Sequence, residues 1–484
     1  MKDFPLKALS FHPREECGVV GIWNVPEAAK LAYLGLYTLQ HRGQESAGIV
    51  TAREGELWGH RGMGLVADVF DAETLNHLPG TRAIGHVRYS TTGDPDPENC
   101  QPLQIQYRRG GLALAHNGNI VNASSIRREL ELSGAIFHTT VDSEVILHLL
   151  ARDVGSFEDT LFSALSAVRG AYSMVILTPE SLVAVRDPNG FRPLLLGRLK
   201  EGWVVASETC AFDLIGAVYE REVEPGEVII FDREGLRSRR LAPASRQSLC
   251  IFELIYFSRP DSTIFEESVH EARLRLGAAL ARACPAEADV VISVPDSSNT
   301  AALGYAREAG LPFEQGLIRS HYIGRTFIEP DANIRDFGVR LKYNPVRAVL
   351  EGRRIVLVDD SIVRGSTSRK IVRMIRAAGA REIHMRISCP PWRYPCNYGI
   401  DTPEAEKLIA HRNDVETIRK EIDADSLGYL TVEQMLAAIP NHQFCTACFT
   451  GDYPVRFETR EKKTVLGTGR RTTVARKAGG FLCL

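Results

Sequence analysis

The chain has 484 residues, 44% of them hydrophobic and 24% charged, with a formal net charge of −2. That balance suits a globular protein of two or three domains, gives no electrostatic case for a nucleic-acid partner, and contains no apolar run long enough to cross a membrane. Its ten cysteines are too thinly spread for the disulfide framework of a small secreted domain.

The leader, residues 1–16, carries Lys2, Asp3, Lys7, Arg14, Glu15 and Glu16 and no long apolar stretch. It makes a poor secretory signal and reads as a propeptide, with a cytoplasmic location as the default. Cys17 follows, at the head of the strand-like run Cys17-Gly18-Val19-Val20-Gly21-Ile22. Cleavage after Glu16 would put an α-amine on the residue that carries the thiol. An α-amine titrates near ~8 and a thiol near ~8.5, so nucleophile and base would share one residue. The other reading is a buried strand cysteine.

From Cys17 to about Asp232, short apolar strands alternate with Gly and Asn turns; Ala83-Ile84-Gly85, Leu112-Ala113-Leu114-Ala115 and Tyr172–Leu177 are examples. Two helical stretches are expected, near Ala28–Gln40 and Ser143–Arg152. Many strands with few helices predict layered antiparallel sheets over residues 17–243. The pattern loosens at Leu241-Ala242-Pro243-Ala244-Ser245, where the linker is placed. Beyond it the order becomes strand, loop, helix. Asp289–Val294, Arg354–Val358 and Ile383–Ile387 are the strands. One helix starts near Asn299 and ends at Gly310; another carries Ile371, Met374, Ile375 and Ala378 and ends at Gly379. This predicts a doubly wound parallel sheet over 244–459, and an α/β (α+β) class overall. Residues 460–484 are basic, with Arg460, Lys462, Lys463, Arg470, Arg471, Arg476 and Lys477 against Glu461 alone, and read as a solvated tail.

Three groups of residues carry chemistry. Asn117-Gly118 reads as a tight turn that could aim a backbone N–H and an amide side chain at one point, as an oxyanion hole requires; a plain hairpin turn is the alternative. The strand Val356-Leu357-Val358 runs into Asp359-Asp360, then Arg364-Gly365-Ser366-Thr367-Ser368, with a helix expected from Thr367. Amides at that helix start can cradle a phosphate, the hydroxyls add donors, and the carboxylates can hold ribose hydroxyls directly or through Mg²⁺. An acidic loop with Asp as a cap is the bland alternative. Cys445 and Cys448 form a Cys-x-x-Cys pair, and Cys250 and Cys396 are remote from it. Zinc, an iron–sulfur cluster or a redox pair all suit that spacing.

Taken together, Cys17 with His41-Arg42-Gly43, Gly85-His86-Val87-Arg88, His116-Asn117-Gly118-Asn119 and Asp142-Ser143-Glu144 resembles the glutamine amidotransferase domain of the N-terminal nucleophile (Ntn) hydrolases. The resemblance implies a four-layer α/β/β/α sandwich. It also implies an oxyanion hole at Asn117 and Gly118, with Arg42, Arg88 and Asp142 around the glutamine, Arg88 on its α-carboxylate and Asp142 on its α-ammonium. Val358–Ser368 resembles the phosphoribosylpyrophosphate (PRPP) motif of type I phosphoribosyltransferases. Val294-Pro295-Asp296-Ser297-Ser298 resembles their pyrophosphate loop. Ser297, Asp359 and Asp360 are thereby implied at Mg²⁺. The polar segment from Arg319 to Lys342, with Arg325 and Lys342 assigned to PRPP, resembles their closing lid. Arg393–Asp401 and Cys445–Gly451 resemble the [4Fe–4S] segments of the propeptide-bearing branch of the PRPP amidotransferases, which implies Cys250, Cys396, Cys445 and Cys448 as ligands of a structural cluster. The family implies glutamine and PRPP as substrates, purine nucleotides as feedback inhibitors, and a homo-oligomer, dimer or tetramer. A different glutamine-dependent enzyme would lack Asp359-Asp360, and a PRPP-sensing regulator would not need Cys17, Arg88, Asn117 and Asp142 together.

Overall fold

A computed structural model describes residues 17–89, 96–152, 155–244, 246–320, 342–440 and 442–457. Residues 1–16, read above as a propeptide, the basic segment 460–484 and Arg325 lie outside the described residues. Between Cys17 and Arg240 the strands form two antiparallel sheets. The first has seven strands, in the order Val218–Glu222, Leu195–Leu199, Gly202–Ala206, Gly18–Trp23, Arg82–Arg88, Ser46–Arg53, Glu56–Met63. The second has six: Gly235–Arg240, Glu227–Asp232, Leu182–Arg186, Gly170–Leu177, Gly110–Ile120, Leu103–Tyr107. Side chains alternate across a strand, so each sheet offers an apolar face. Val19, Val50 and Ile84 from one meet Ala113, Ala115, Val175 and Leu182 from the other in a common core. Helix Ala28–Thr38 covers the first sheet through Ala32 and Leu36, and helices Ala123–Leu132, Glu144–Ala151 and Phe157–Ala167 cover the second. The result is the four-layer α/β/β/α sandwich.

The expected pair of helices was too few. Ala123–Leu132 buries only Ala123, Ile126 and Leu130, a stripe at helical spacing within a polar sequence, and Phe157–Ala167 starts on a Ser156 cap that accepts from Asp159 N. Asn117-Gly118 is also not a turn. Both residues lie inside the strand Gly110–Ile120, opposite Ser173 and Tyr172.

The second unit has four parallel strands in the order Val290–Ser293, Arg354–Asp359, Glu382–Ile387, Ser426–Tyr429. Helices Asn299–Ala309, Ser366–Ala377 and Val415–Ile422 lie in the crossovers, and Val269–Ala283 precedes the sheet. Gly310 caps the first of these helices in a left-handed conformation, φ +65°. Two loops at the carboxyl ends of adjacent strands, 294–298 and 359–365, face each other, the usual place for a ligand in such a sheet. Leu249–Cys250 pairs in parallel with Phe444–Cys445, so the end of the described chain returns to the linker. The core is continuous from Val20 and Leu36 through Phe252 to Val290 and Leu357, so the two units share apolar packing.

Candidate functional site

Cys17 enters the central strand of the first sheet, 6% exposed, with its thiol donating to Tyr89 O at 3.6 Å. Burial pushes that thiol up to about 11, and Arg88, Asp142 and Glu45 all lie close enough to act on it electrostatically. Arg88 is 2% exposed and reaches Glu45 Oε1 at 3.3 Å. The Asp142 carboxylate accepts from Ile120 N at 2.7 Å and from Ser143 Oγ at 3.3 Å. His116 Nδ1 lies 2.7 Å from Ser143 Oγ, and His86 Nε2 donates to His116 O at 3.0 Å. Burial drives His86 down to about 3, so this pair of rings is neutral scaffolding.

Asn117 is fully enclosed, and its Nδ2 is a buried donor with no hydrogen-bond partner among the described residues. An orphan of that kind costs about 1–3 kcal/mol, which a fold tolerates where a ligand supplies the acceptor. Gly118 adopts φ +146°, and a Cβ there would stand 2.0 Å from Ala171 O. Only glycine lets the strand run past that point.

Arg42 lies beside Cys17, with its guanidinium held by buried acids. Nε donates to Cys17 O at 3.1 Å, Nη1 to Glu208 at 2.6 Å and Glu253 at 2.9 Å, and Nη2 to Glu253 at 2.7 Å. All three side chains are fully buried. Burial opposes the charge on Arg42, but Glu253 and Glu208 outweigh it and raise its pKa. Burial likewise opposes ionisation of Glu208, yet His41 and Arg42 hold it well below the ordinary range. Arg192 adds to this network, with Nη1 3.4 Å from Glu253 Oε1. Glu208, Glu253 and Arg192 were missed in the sequence. Glu253 left a signal, a lone acid inside the apolar run Ile251–Phe257.

In the second unit Asp359 and Asp360 end their strand 2% and 1% exposed. Ser297 Oγ donates to Asp360 Oδ2 at 2.6 Å, Ser298 Oγ to Asp359 Oδ1 at 3.1 Å, and Ser361 Oγ to Asp360 Oδ1 at 2.6 Å. Burial, then the neighbouring Asp360, raises Asp359 well above the carboxylate range, and Lys342 opposes that shift. Helix Ser366–Ala377 starts behind Gly365, with Thr367 and Ser368 buried at its first turn and Arg364 and Ser366 exposed beside it. The structure thus brings Ser297, Asp359 and Asp360 together at these two strand ends, with residues 364–368 following on the second loop and Lys342 near enough to act on Asp359; Arg325 lies outside the described residues.

Cys250, Cys396, Cys445 and Cys448 line one small cavity with Phe191, Ile251, Phe252, Tyr398 and Ile400. Burial pushes Cys250 up to about 11 and raises Cys445 and Cys448 as well. Among the described residues no three His, Cys, Asp or Glu side chains converge tightly enough to hold a metal ion, so the four thiols ring a space rather than a point. Of the five other cysteines, Cys389 lies near enough to Cys448 to act on it electrostatically. Cys100, Cys210 and Cys389 are buried and Cys284 is half-buried, while Cys483 lies outside the described residues.

A profile of the glutamine amidotransferase domain matches residues 86–213. A chloroplastic amidophosphoribosyltransferase of Glycine max is 55% identical over 456 residues, covering 93% of this chain and 80% of that protein. The amidophosphoribosyltransferase of Bacillus subtilis (strain 168) is 52% identical, covering 91% of this chain and 94% of its own length. The chain belongs to the amidophosphoribosyltransferases. Its activity is therefore glutamine-dependent amidation of PRPP, in purine biosynthesis. A solved structure of glutamine PRPP amidotransferase from B. subtilis, complexed with ADP and GMP, superposes with a TM-score of 0.88 at 50% identity, covering 93% of this chain and 99% of that one. No helix among the described residues is long and apolar enough to cross a membrane.

The buried network generates a test. Glu208 sits below its ordinary value in the fold, so its contribution is present in full above the unfolded pKa of about 4.3 and fades as pH falls toward the folded value. Glu208→Gln should cost about 3 kcal/mol at neutral pH, read from denaturant midpoints, because it strips a buried cation of one partner. The gap to the parent should narrow below about pH 4. An equal gap at neutral and acid pH would exclude the ion pair as its cause.

Proposed function

We propose that Cys17, made N-terminal by loss of residues 1–16, attacks the side-chain amide of glutamine. The enclosed thiol is held protonated by burial, so it needs a base at hand, and its own α-amine is the nearest one the chain can provide. The observation that carries this reading is the orphaned Asn117 Nδ2. With Gly118 N it would receive the oxyanion that forms as the amide carbon becomes tetrahedral. Arg88 would hold the glutamine α-carboxylate and Asp142 the α-ammonium. Arg42 acts from behind, fixing the Cys17 carbonyl. The tetrahedral adduct collapses as its C–N bond breaks, the nitrogen takes up the thiol's proton and leaves as ammonia, and water then hydrolyses the thioester to glutamate and free thiol. The freed ammonia attacks C1 of PRPP, pyrophosphate leaves, and 5-phosphoribosylamine forms.

At the acceptor site Asp359 and Asp360 would hold ribose hydroxyls. Amides and hydroxyls at Gly365–Ser368 would hold the 5-phosphate, with Arg364, Lys342 and Arg325 supplying positive charge. Ser297, Asp359 and Asp360 offer hard oxygen donors that suit Mg²⁺, which when bound neutralises pyrophosphate charge. Cys250, Cys396, Cys445 and Cys448 are soft donors around an apolar cavity and would hold a [4Fe–4S] cluster, whose chemistry there is structural cross-linking. Purine nucleotides as inhibitors, a homo-oligomer and a cytoplasmic location complete the reading. The ADP and GMP of the B. subtilis structure support the first of these.

Cys17→Ala should abolish glutamine-dependent synthesis and keep synthesis from high ammonia, both followed as PRPP-dependent pyrophosphate release. Loss of both activities in a folded variant would refute the division into two sites. The double variant Asp359→Asn, Asp360→Asn should lose ammonia-dependent synthesis by a hundredfold or more, on the order of what misplacing a reacting group costs. It should keep basal glutaminase, and unchanged synthesis removes the pair from the acceptor site. Anaerobically purified protein should contain about four iron and four acid-labile sulfide per chain. Stoichiometric zinc without sulfide would replace the cluster assignment.

A further inference from the structure

The loop after Cys396 does more than approach the cysteine cavity. Its backbone lies against the Asn117–Asn119 strand on the first unit. Asn119 Nδ2 donates to Asn397 O at 2.9 Å, across 278 residues of sequence. Gly399, with φ +110°, meets Gly118 backbone to backbone; a Cβ on Gly399 would stand 3.1 Å from both Gly118 Cα and C, and 3.1 Å from Arg192 Nη2. Tyr398 O between them accepts from Arg192 Nε at 3.1 Å and Nη2 at 2.6 Å, and its ring stacks on Phe191 with centroids 4.3 Å apart. At the other end of the loop, Tyr398 N donates to Cys396 Sγ at 3.2 Å. Arg192 O in turn accepts from Ser173 Oγ at 3.1 Å, and Ser173 stands opposite Asn117 in the sheet.

From this arrangement we infer that residues 397–399 of the second unit are positioning residues for glutamine hydrolysis. They fix the backbone and side-chain donors at Asn117 and Gly118, and so set the oxyanion geometry of an active site in the other unit. The inference rests on the reading of Asn117 and Gly118 as that oxyanion hole. Physically, the strand at 117–119 needs such a wall. Gly118 has no side chain to lock it, and its left-handed φ gives up an ordinary extended conformation. A donor that must meet a transient oxyanion gains its effect from being fixed beforehand, and displacement by a fraction of an ångström is costly.

Gly399→Ala pushes a methyl into Gly118. Asn119→Asp keeps the size but turns a carboxylate toward the Asn397 carbonyl; Asn119→Ala simply removes the donor. Each variant should lower the kcat of glutamine hydrolysis about tenfold while KM for glutamine moves less than twofold, since the oxyanion is made only in the transition state. Ammonia-dependent synthesis, iron and acid-labile sulfide content, and the rate at which iodoacetamide alkylates Cys17 should all match the parent. Asn117→Asp serves as the control for the underlying reading. If Asn117→Asp cripples hydrolysis while the Asn119 and Gly399 variants keep kcat within twofold, the positioning role is overturned and the oxyanion hole stands. If Asn117→Asp is itself as active as the parent, both fall. A parallel loss of ammonia-dependent synthesis or of iron would also overturn the inference, because it would mark general damage.

Discussion

The structure depends on a single buried charge. Arg42 sits in a region with almost no water, where an unpaired guanidinium would be untenable, and it is charged because two carboxylates meet it there. One of them, Glu208, comes from its own unit. The other, Glu253, lies 211 residues away in a π-helical turn at the entrance to the second. The buried cation behind the strand that begins at Cys17 is therefore fully paired only when the second unit is docked. Removing either acid would leave a cation in the interior short of a partner, which is costly.

The same turn is held from the acceptor side. Arg273, on helix Val269–Ala283, donates to Leu254 O at 2.9 Å and Ser258 O at 2.8 Å. Burial pulls its pKa down to about 10, and among the groups that oppose that fall is Asp360. Arg273 thus lies within electrostatic reach of Asp360 while gripping the turn that carries Glu253, and Glu253 pairs with Arg42, which donates to Cys17 O. Hydrogen bonds on this route run from Arg273 through the 253–258 turn to Arg42 and the Cys17 carbonyl.

What was legible in the sequence followed local chemistry. The Asp359–Ser368 stretch is one strand end and one helix start, so its shape is written in consecutive residues, and the structure reproduces it. The alternating and continuous apolar runs likewise gave layered antiparallel sheets and the parallel sheet, while the four-layer sandwich came from the family resemblance. Long-range partnerships were not legible. Arg42 in sequence is a basic residue in a polar motif, and nothing near it names Glu208 or Glu253. Asn117-Gly118 has the composition of a turn, and its place inside a strand follows from close passage of Ala171 and Ser173, which only the folded sheet brings together. Helix Ala123–Leu132 hid behind a surface rich in charge because three small or medium side chains suffice to seat it.

The two-residue ladder between Leu249–Cys250 and Phe444–Cys445 fixes an order of events in synthesis. On the ribosome the sandwich emerges first, yet the acid that neutralises Arg42 and the loop that backs Gly118 emerge later, and the strand that secures Cys250 emerges near the end. Long closures of this kind come late in folding, after local sheets have formed. A chain truncated before Phe444 therefore lacks the strand that pairs with Leu249–Cys250, although it already holds Glu253 and residues 397–399.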